Sequence, residues 1–285
     1  MTRILACVDG SSYSASVCDH AAWAAGPLDA SVSILRVIDA HETHVIASDL
    51  SGSLGPSDSE HLLEEYTALD AQRGRLAQQQ GQLILDQASA RVRAAGVVDV
   101  VARQRQGALV DTIIDMEPAA NLIVIGKRGA SDQAATQHIG SNLERVVRAV
   151  HTPILVTSRD FQPIRRFLIA YDGGHSMRKA IVRLAHTALL VGVECRVLMV
   201  ADDEAAAHRE LAEATGPLIK AGFDVGVSVK RGDAEDMIVA EVEREGIDLL
   251  VMSAYGHSRI RALMIGSTTT TMLRRSTVPV LLFRS

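Results

Sequence analysis

The chain has few aromatic side chains: Phe, Tyr and Trp make up 3% of its 285 residues, with a single Trp. Its 47% apolar content is therefore carried mainly by Val, Ile, Leu and Ala, the composition of a parallel sheet covered by helices. Cysteine is scarce. Cys7, Cys18 and Cys195 sit in apolar patterns without metal-ligand spacing, so they read as buried structural thiols of a reducing, cytoplasmic compartment. No block of Lys or Arg stands out and the net charge is −5, which argues against nucleic acid or an acidic membrane as partner. No apolar run reaches the length of a membrane span, and MTRILACVDGSS enters a strand pattern directly, without a signal-peptide layout.

Several catalytic motifs are missing too. No phosphate loop ending in Gly-Lys-Ser/Thr occurs, which excludes a Walker-type ATPase. No Gly-x-Gly-x-x-Gly follows a first strand, which weighs against a dinucleotide oxidoreductase. His41-Glu42-His44 lacks the zinc-protease spacing. His138-Ile139-Gly140-Ser141 shares the start of the adenylate-handling motif of synthetases, but it lacks the second His and follows the wrong strand. His175 reads as a helix-start residue, and no Ser/His/Asp set assembles from spacing, since a triad is defined by geometry. No metal-binding or catalytic residue is assigned.

What the chain does have is a repeat. ILACVDGSS (4–12) and FLIAYDGGH (167–175) are each an apolar strand ending in Asp-Gly, at Asp9-Gly10 and Asp172-Gly173, 163 residues apart. In the second copy Ala180, Ile181, Leu184, Ala185 and Ala188 follow helical spacing. Second strands follow at Val32–Ile38 and Cys195–Val200, with Val37 and Val200 again 163 apart. Further on, Gly107 pairs with Gly232 at an offset of 125. The first half thus carries 163 − 125 = 38 extra residues. Each half reads as alternating strands and helices, the pattern of a five-stranded parallel sheet with helices on both faces. Residues 158–166, SRDFQPIRR, form a short linker. The expected domains are 1–158, with a helical insert near 41–82, and 164–285.

Within the insert, 41–58 reads as a loop rich in Gly, Ser and Pro. Residues 59–95 read as helical, with Ser59 a cap and Gly74 and Gly81 as places where the helix breaks. Leu62, Tyr66, Leu69, Leu76 and Leu83 lie on a heptad-like seam interrupted by Arg73 and Gln80. The insert is read either as cover for the sheet or as a helix that packs on another subunit.

The last third of each half repeats most closely: NLIVIGKRGASDQAATQHIGSNLERVVRAVHTPILV (121–156) and DLLVMSAYGHSRIRALMIGSTTTTMLRRSTVPVLL (248–282). Each runs strand, glycine loop, Ile-Gly-Ser, helix, Pro, strand. A strand feeding glycines and then a helix N-terminus holds anions, because backbone approaches closely and unpaired amides face the ligand. The first copy has Gly126, Gly129, ten residues, Gly140 and Ser141; the second has Ser253, Gly256, nine residues, Gly266 and Ser267. Lys127 and Arg128 in the first loop, and His257, Arg259 and Arg261 in the second, are candidates to meet an anion. Thr268–Thr271 offers hydroxyls for phosphate or for N-terminal capping. In the first copy Leu143, Val146, Val147 and Val150 form an apolar helix face, and Asp132 adds a negative charge to the loop.

On these residues the whole chain resembles a tandem universal stress protein. ATP-binding members of that family show Gly, two residues, Gly, nine residues, Gly, then Ser or Thr, with an Asp closing the first strand and a Val the second. The second half keeps the nine-residue spacing but has Ser253 for the first glycine. The first half keeps all three glycines but has a loop one residue longer. The resemblance implies two doubly wound α/β domains paired as an internal pseudo-dimer. It implies ATP or a related adenine nucleotide, with or without magnesium, as ligand. The expected site is in the second half: Asp172, Gly173, Val200, Met252, Ser253, Gly256, Gly266, Ser267 and Thr268, with Asp172 at the base or ribose and Val200 at the adenine edge. A second candidate site comprises Asp9, Gly10, Val37, Gly126, Gly129, Gly140 and Ser141.

The expected function is a stress-response switch or sensor, with at most slow ATP hydrolysis. The alternatives are an interaction protein without nucleotide and, with weaker support, an enzyme of adenylate chemistry. The last strand of each half, Pro153–Val156 and Pro279–Phe283, is expected to be the pairing edge of an internal dimer of the halves. A homo-oligomer or protein partner would be met through these terminal strands or through the inserted helix.

Overall fold

The computed structural model describes residues 2–39, 56–129, 140–254 and 266–284, with backbone alone at 56–64 and 141. The glycine loops at 130–139 and 255–265 and the segment 40–55 lie outside it. So do the expectations placed on Gly256, His257, Arg259, Arg261, Asp132, His138 and His41-Glu42-His44.

The first half runs β1 (Thr2–Cys7), α1 (Ser14–Leu28), β2 (Ala30–Ile38), α2 (Pro56–Ala94), β3 (Val100–Gln106), α3 (Leu109–Met116), β4 (Leu122–Gly126), α4 (Ser141–Ala149) and β5 (Ile154–Thr157). The second runs β6 (Arg166–Ala170), α5 (His175–Ala185), β7 (Glu194–Val200), α6 (Glu204–Lys220), β8 (Val225–Lys230), α7 (Ala234–Arg244), β9 (Leu249–Ser253), α8 (Ser267–Arg275) and β10 (Val280–Phe283). The central strands are buried end to end: β4 reads Leu-Ile-Val-Ile and β9 Leu-Leu-Val-Met, as expected for strands covered on both faces.

All ten strands form one sheet in the order β3-β2-β1-β4-β5-β10-β9-β6-β7-β8. Within each half every pairing is parallel. The halves join by antiparallel pairing of β5 with β10, Val156 opposite Val280 and Ile154 opposite Leu282. The internal pseudo-dimer is therefore a continuous sheet. The expected pairing of the last strand of each half is borne out, and it corrects only the use of those strands by an outside partner: β5 lies between β4 and β10, and β10 between β5 and β9. Neither keeps an open ladder. The open edges are β3 and β8.

Two apolar layers run the length of this sheet. One packs α1, α2, α5 and α6 through residues such as Val17, Leu85, Ile181 and Leu211. The other packs α3, α4, α7 and α8 through Ile113, Val146, Ile238 and Met272. In α4, Leu143, Val146, Val147 and Val150 are all buried, as their spacing predicts. Cys7, Cys18 and Cys195 are buried free thiols. Burial pushes each up to about 12, helped at Cys7 by Asp9 and at Cys18 by Asp19, so they stay protonated and inert near neutral pH.

The insert differs from its reading. Helix α2 starts at Pro56, before Ser59, and runs unbroken through Gly74 and Gly81 for 39 residues, about 58 Å at 1.5 Å per residue. At Gly81 a Cβ would lie 2.1 Å from Gln104 Oε1 of β3, so the end of the Gln104 side chain occupies the space a larger residue would take. Gly74 meets nothing within 4 Å, and the helix absorbs its cost of about 1 kcal/mol. Leu85, Ala88 and Val92 bury the C-terminal part, and Arg91 forks onto Asp19 of α1 at 2.6 and 2.7 Å. No described helix is long and apolar enough to cross a membrane.

Candidate functional site

In the strand order 3-2-1-4-5 the winding of the parallel strands reverses between β1 and β4, which opens a crevice at their carboxyl ends. In the first half this crevice is a cavity of about 620 Å³. Asp9, Val37, Gly126, Gly129 and Gly140 of the candidate set line it. Gly10 sits in the adjoining turn with φ +79°, and Ser141 opens α4 with Gly140 as its N-cap. The Gly140 amide approaches the Lys127 carbonyl at 3.5 Å, which brings the helix start back onto the strand end across the loop.

Asp9 is held by its own turn. Its Oδ1 accepts from the Ser11 amide at 2.9 Å and the Ser14 hydroxyl at 3.2 Å. Gly126 permits a close approach: a Cβ there would lie 2.8 Å from Tyr13 Cβ and 3.3 Å from the Arg128 carbonyl. The two basic residues of the loop part company. Arg128 lines the cavity. Lys127 does not: its Nζ donates to the carbonyls of Arg274 and Ser276, both at 2.9 Å, at the end of α8. Burial, then the Arg128 charge, lowers its pKa to about 8. The expectation that Lys127 meets an anion in this loop is thus replaced by a cap on the other half.

Other lining residues escaped the motif reading. Arg36, 4% exposed, donates to the Val37 carbonyl at 2.6 Å; its signal was one charged residue in the apolar run VSILRVI. Asn142 and Arg145 line the cavity from α4, and Tyr13 from the turn before α1. Gln80 reaches it from α2. The helix is placed there because Ile84 packs over Gly10, where a Cβ would lie 2.6 Å from Ile84 Cδ1. Among the described residues no histidine or lysine lines the cavity.

The second half repeats the frame with one exchange. Gly266 is the N-cap of α8 and its amide donates to the Ala254 carbonyl at 3.3 Å. Gly173 has φ +72° and Gly174 caps α5, with His175 its first residue. Ser253 stands at the position of Gly126. It is buried, and its hydroxyl donates to Asp172 Oδ2 at 3.1 Å, while Oδ1 accepts from the Gly174 amide at 2.9 Å. Met252 is buried beneath and Val200 half-buried at the end of β7. Ser267 is exposed and Thr268 half-buried. Thr269 turns inward to the Ser253 carbonyl at 3.0 Å, so one member of the threonine run holds the helix to the sheet. Among the described residues no group of three or more His, Cys, Asp or Glu is placed to hold a metal ion.

Comparison with known proteins agrees with this frame. The model of the universal stress protein family matches residues 1–158 and again 163–284. Universal stress protein Slr1230 of Synechocystis sp. is 38% identical over 289 residues, covering 100% of both chains. The crystal structure of a universal stress protein from Archaeoglobus fulgidus covers 99% of this chain and 98% of its own, with a TM-score of 0.69 at 21% identity. A universal stress protein solved in complex with cAMP covers 43% of this chain and 98% of its own, with a TM-score of 0.38 at 24% identity. With the family pattern matched in both halves and along the full length of the Synechocystis relative, the chain belongs to the universal stress protein family and carries two such domains in tandem.

Proposed function

We propose that this protein binds ATP or a related adenine nucleotide in its first half and acts as a stress-response switch or sensor rather than a high-turnover enzyme. The observation that carries the reading is the cavity of about 620 Å³ at the switch point, within the roughly 300–1,000 Å³ of small-molecule sites. Its glycines leave backbone uncovered, and α4 starts at its rim. Phosphates would lie along Gly126, Gly129 and Gly140 beside Arg128, and the base toward Val37 and Ile125. Among the described residues Asp9 and Asp39 are the carboxylates that line it, and they would face the ribose or magnesium. Any hydrolysis in this reading is slow, as for a switch rather than a turnover enzyme.

Loop spacing favours the second half. Two features support the first: Gly126, Gly129, Gly140 and Arg128 line one cavity, and Gly126 stands where Ser253 of the second half places a hydroxyl on Asp172 Oδ2. The test is ATP titrated by calorimetry into the parent protein, Gly129→Val and Gly256→Val. Loss with Gly129→Val alone supports the first half. Loss with Gly256→Val alone moves the site to the second, and no binding in the parent protein overturns the proposal.

A second reading, an interaction protein, has its own observation. Leu69, Leu76 and Leu83 are 40%, 56% and 63% exposed along one side of α2, a row at seven-residue spacing that suits a helix of another subunit.

A further inference from the structure

A smaller cavity of about 190 Å³ lies on the seam between the halves. Its wall is apolar, with Leu122 and Pro153 from the first half and Leu184, Leu189, Leu281 and Phe283 from the second. Its rim is polar. Arg183 stands there on α5, beside Asn121, Thr2 and Thr187. The Arg183 guanidinium has only a long contact, 3.4 Å, to the Asn121 carbonyl. It forms no ion pair among the described residues.

The pseudo-two-fold explains what this place is. His20 is the counterpart of Arg183, since 183 − 20 = 163, the offset that relates Asp9 to Asp172. On the His20 side the groove is covered by the linker. Phe161 stands edge-on to the His20 ring with centroids 4.9 Å apart, Ile164 is buried, and the Ser16 hydroxyl donates to the Ser158 carbonyl at 2.8 Å. An apolar group of the chain itself thus covers one groove. The other keeps an open cavity and exchanges the neutral imidazole for a cation.

We infer that the seam cavity is a binding site for a small carboxylate with an apolar tail, the carboxylate on Arg183 and Asn121 and the tail among Leu122, Leu184, Leu281 and Phe283. The fork of a guanidinium matches a carboxylate in shape and charge. At about 30 Å³ per water the volume equals about six waters, which limits the guest to a molecule near the size of hexanoate. This site is separate from the proposed nucleotide cavity and does not rest on that reading.

Butanoate, hexanoate and hexan-1-ol titrated calorimetrically into the intact protein test the assignment. Two added methylenes should tighten hexanoate over butanoate by about fifteenfold, at about fourfold per buried methylene. Hexan-1-ol should bind at least about tenfold more weakly than hexanoate, because it forgoes the charged hydrogen bonds. Arg183→Met keeps the stem of this exposed helical residue and should bring hexanoate down to the level of hexan-1-ol while leaving the alcohol unchanged. Hexanoate that does not saturate at about 10 mM, far weaker than a typical small-molecule site, would overturn the assignment. So would hexanoate binding that Arg183→Met leaves intact, or an alcohol that binds as well as the acid.

Discussion

The ammonium of Lys127 donates to the carbonyl oxygen of Ser276 at 2.9 Å, which ties the glycine loop of the first half to the end of the last helix of the second. A second cation makes the return connection. Arg284, just past β10, donates to the carbonyls of Arg148 and Val150 at the end of α4. Each glycine-led helix therefore has its C-terminal carbonyls satisfied by the opposite half, where a helix leaves acceptors unpaired and favours positive charge.

Lys127→Met should lower stability by about 1–2 kcal/mol through loss of two charged hydrogen bonds and speed amide exchange in the last turn of α8. The effect has a pH signature. Lys127 titrates near 8 in the fold against an ordinary 10.5, so between those values the unfolded chain holds more protons and stability rises with pH. The burial cost is fully present below about pH 8 and relieved toward 10.5. The gap between wild type and Lys127→Met in urea midpoint should widen over that interval; a constant gap would refute the titration.

His20 carries the acid-side prediction. Its Nδ1 lies 2.8 Å from the Ser16 carbonyl, an acceptor, so Nδ1 holds the proton and Nε2 is a buried atom without a partner. Burial, opposed by the Ser16 bond and Asp19, lowers its pKa below the ordinary 6.5. The neutral ring is then the folded form, and its contribution is lost as pH falls below the unfolded value. The urea midpoint should decline from pH 7 to pH 5, and His20→Phe should flatten that decline. An unchanged slope in the variant would remove His20 from the account.

Exchanging Gly126 and Ser253, which occupy the same position at the two switch points, tests the site. Gly126→Ser puts a side chain within 2.8 Å of Tyr13 Cβ and should weaken ATP binding in the first half by about tenfold or more, the scale of a 1.4 kcal/mol loss. Ser253→Gly removes the donor to Asp172 Oδ2 and should improve binding in the second half. Equal ATP affinity in all three proteins would separate this position from recognition.

Gly10→Ala tests the seating of the insert. The position has φ +79° and Ile84 Cδ1 would lie 2.6 Å from the new methyl. A loss of about 1–3 kcal/mol is expected from the left-handed backbone alone, with faster amide exchange around Ile84 as α2 lifts. Unchanged protection there would show that the helix is held without this contact.

The leucine row gives the oligomer prediction. Leu76→Glu, at the most central of the three exposed positions, should reduce any self-association seen by sedimentation velocity while leaving the unfolding midpoint within about 0.5 kcal/mol, as for an ordinary surface change. Unchanged association would assign any oligomer to another surface.

The frame of both halves was legible because its signals are local. Apolar runs of five residues, Asp-Gly after the first strand and Gly-Ser before the last helix each follow from periodicity and backbone chemistry within a dozen residues. The same is true of the buried face of α4. The insert was legible as helical from its spacing, but its continuity was not. Glycine propensity alone suggests breaks at Gly74 and Gly81, and only the fold shows the helix continuing through both, with the Gln104 side chain of β3 against Gly81.

The sequence by itself thus determined two parallel α/β domains, their glycine loops and the helices that follow. The tertiary structure decided which groups meet. It joined β5 to β10, as their place at the end of each half suggests, and left neither strand open to an outside partner. It sent Lys127 out of its own loop to α8, and it placed Ser253 against Asp172, 81 residues away. The physical reason is separation along the chain: a hydrogen bond between distant residues leaves no period or spacing in the sequence, and exists only once the sheet has set the two groups within about 3 Å of each other.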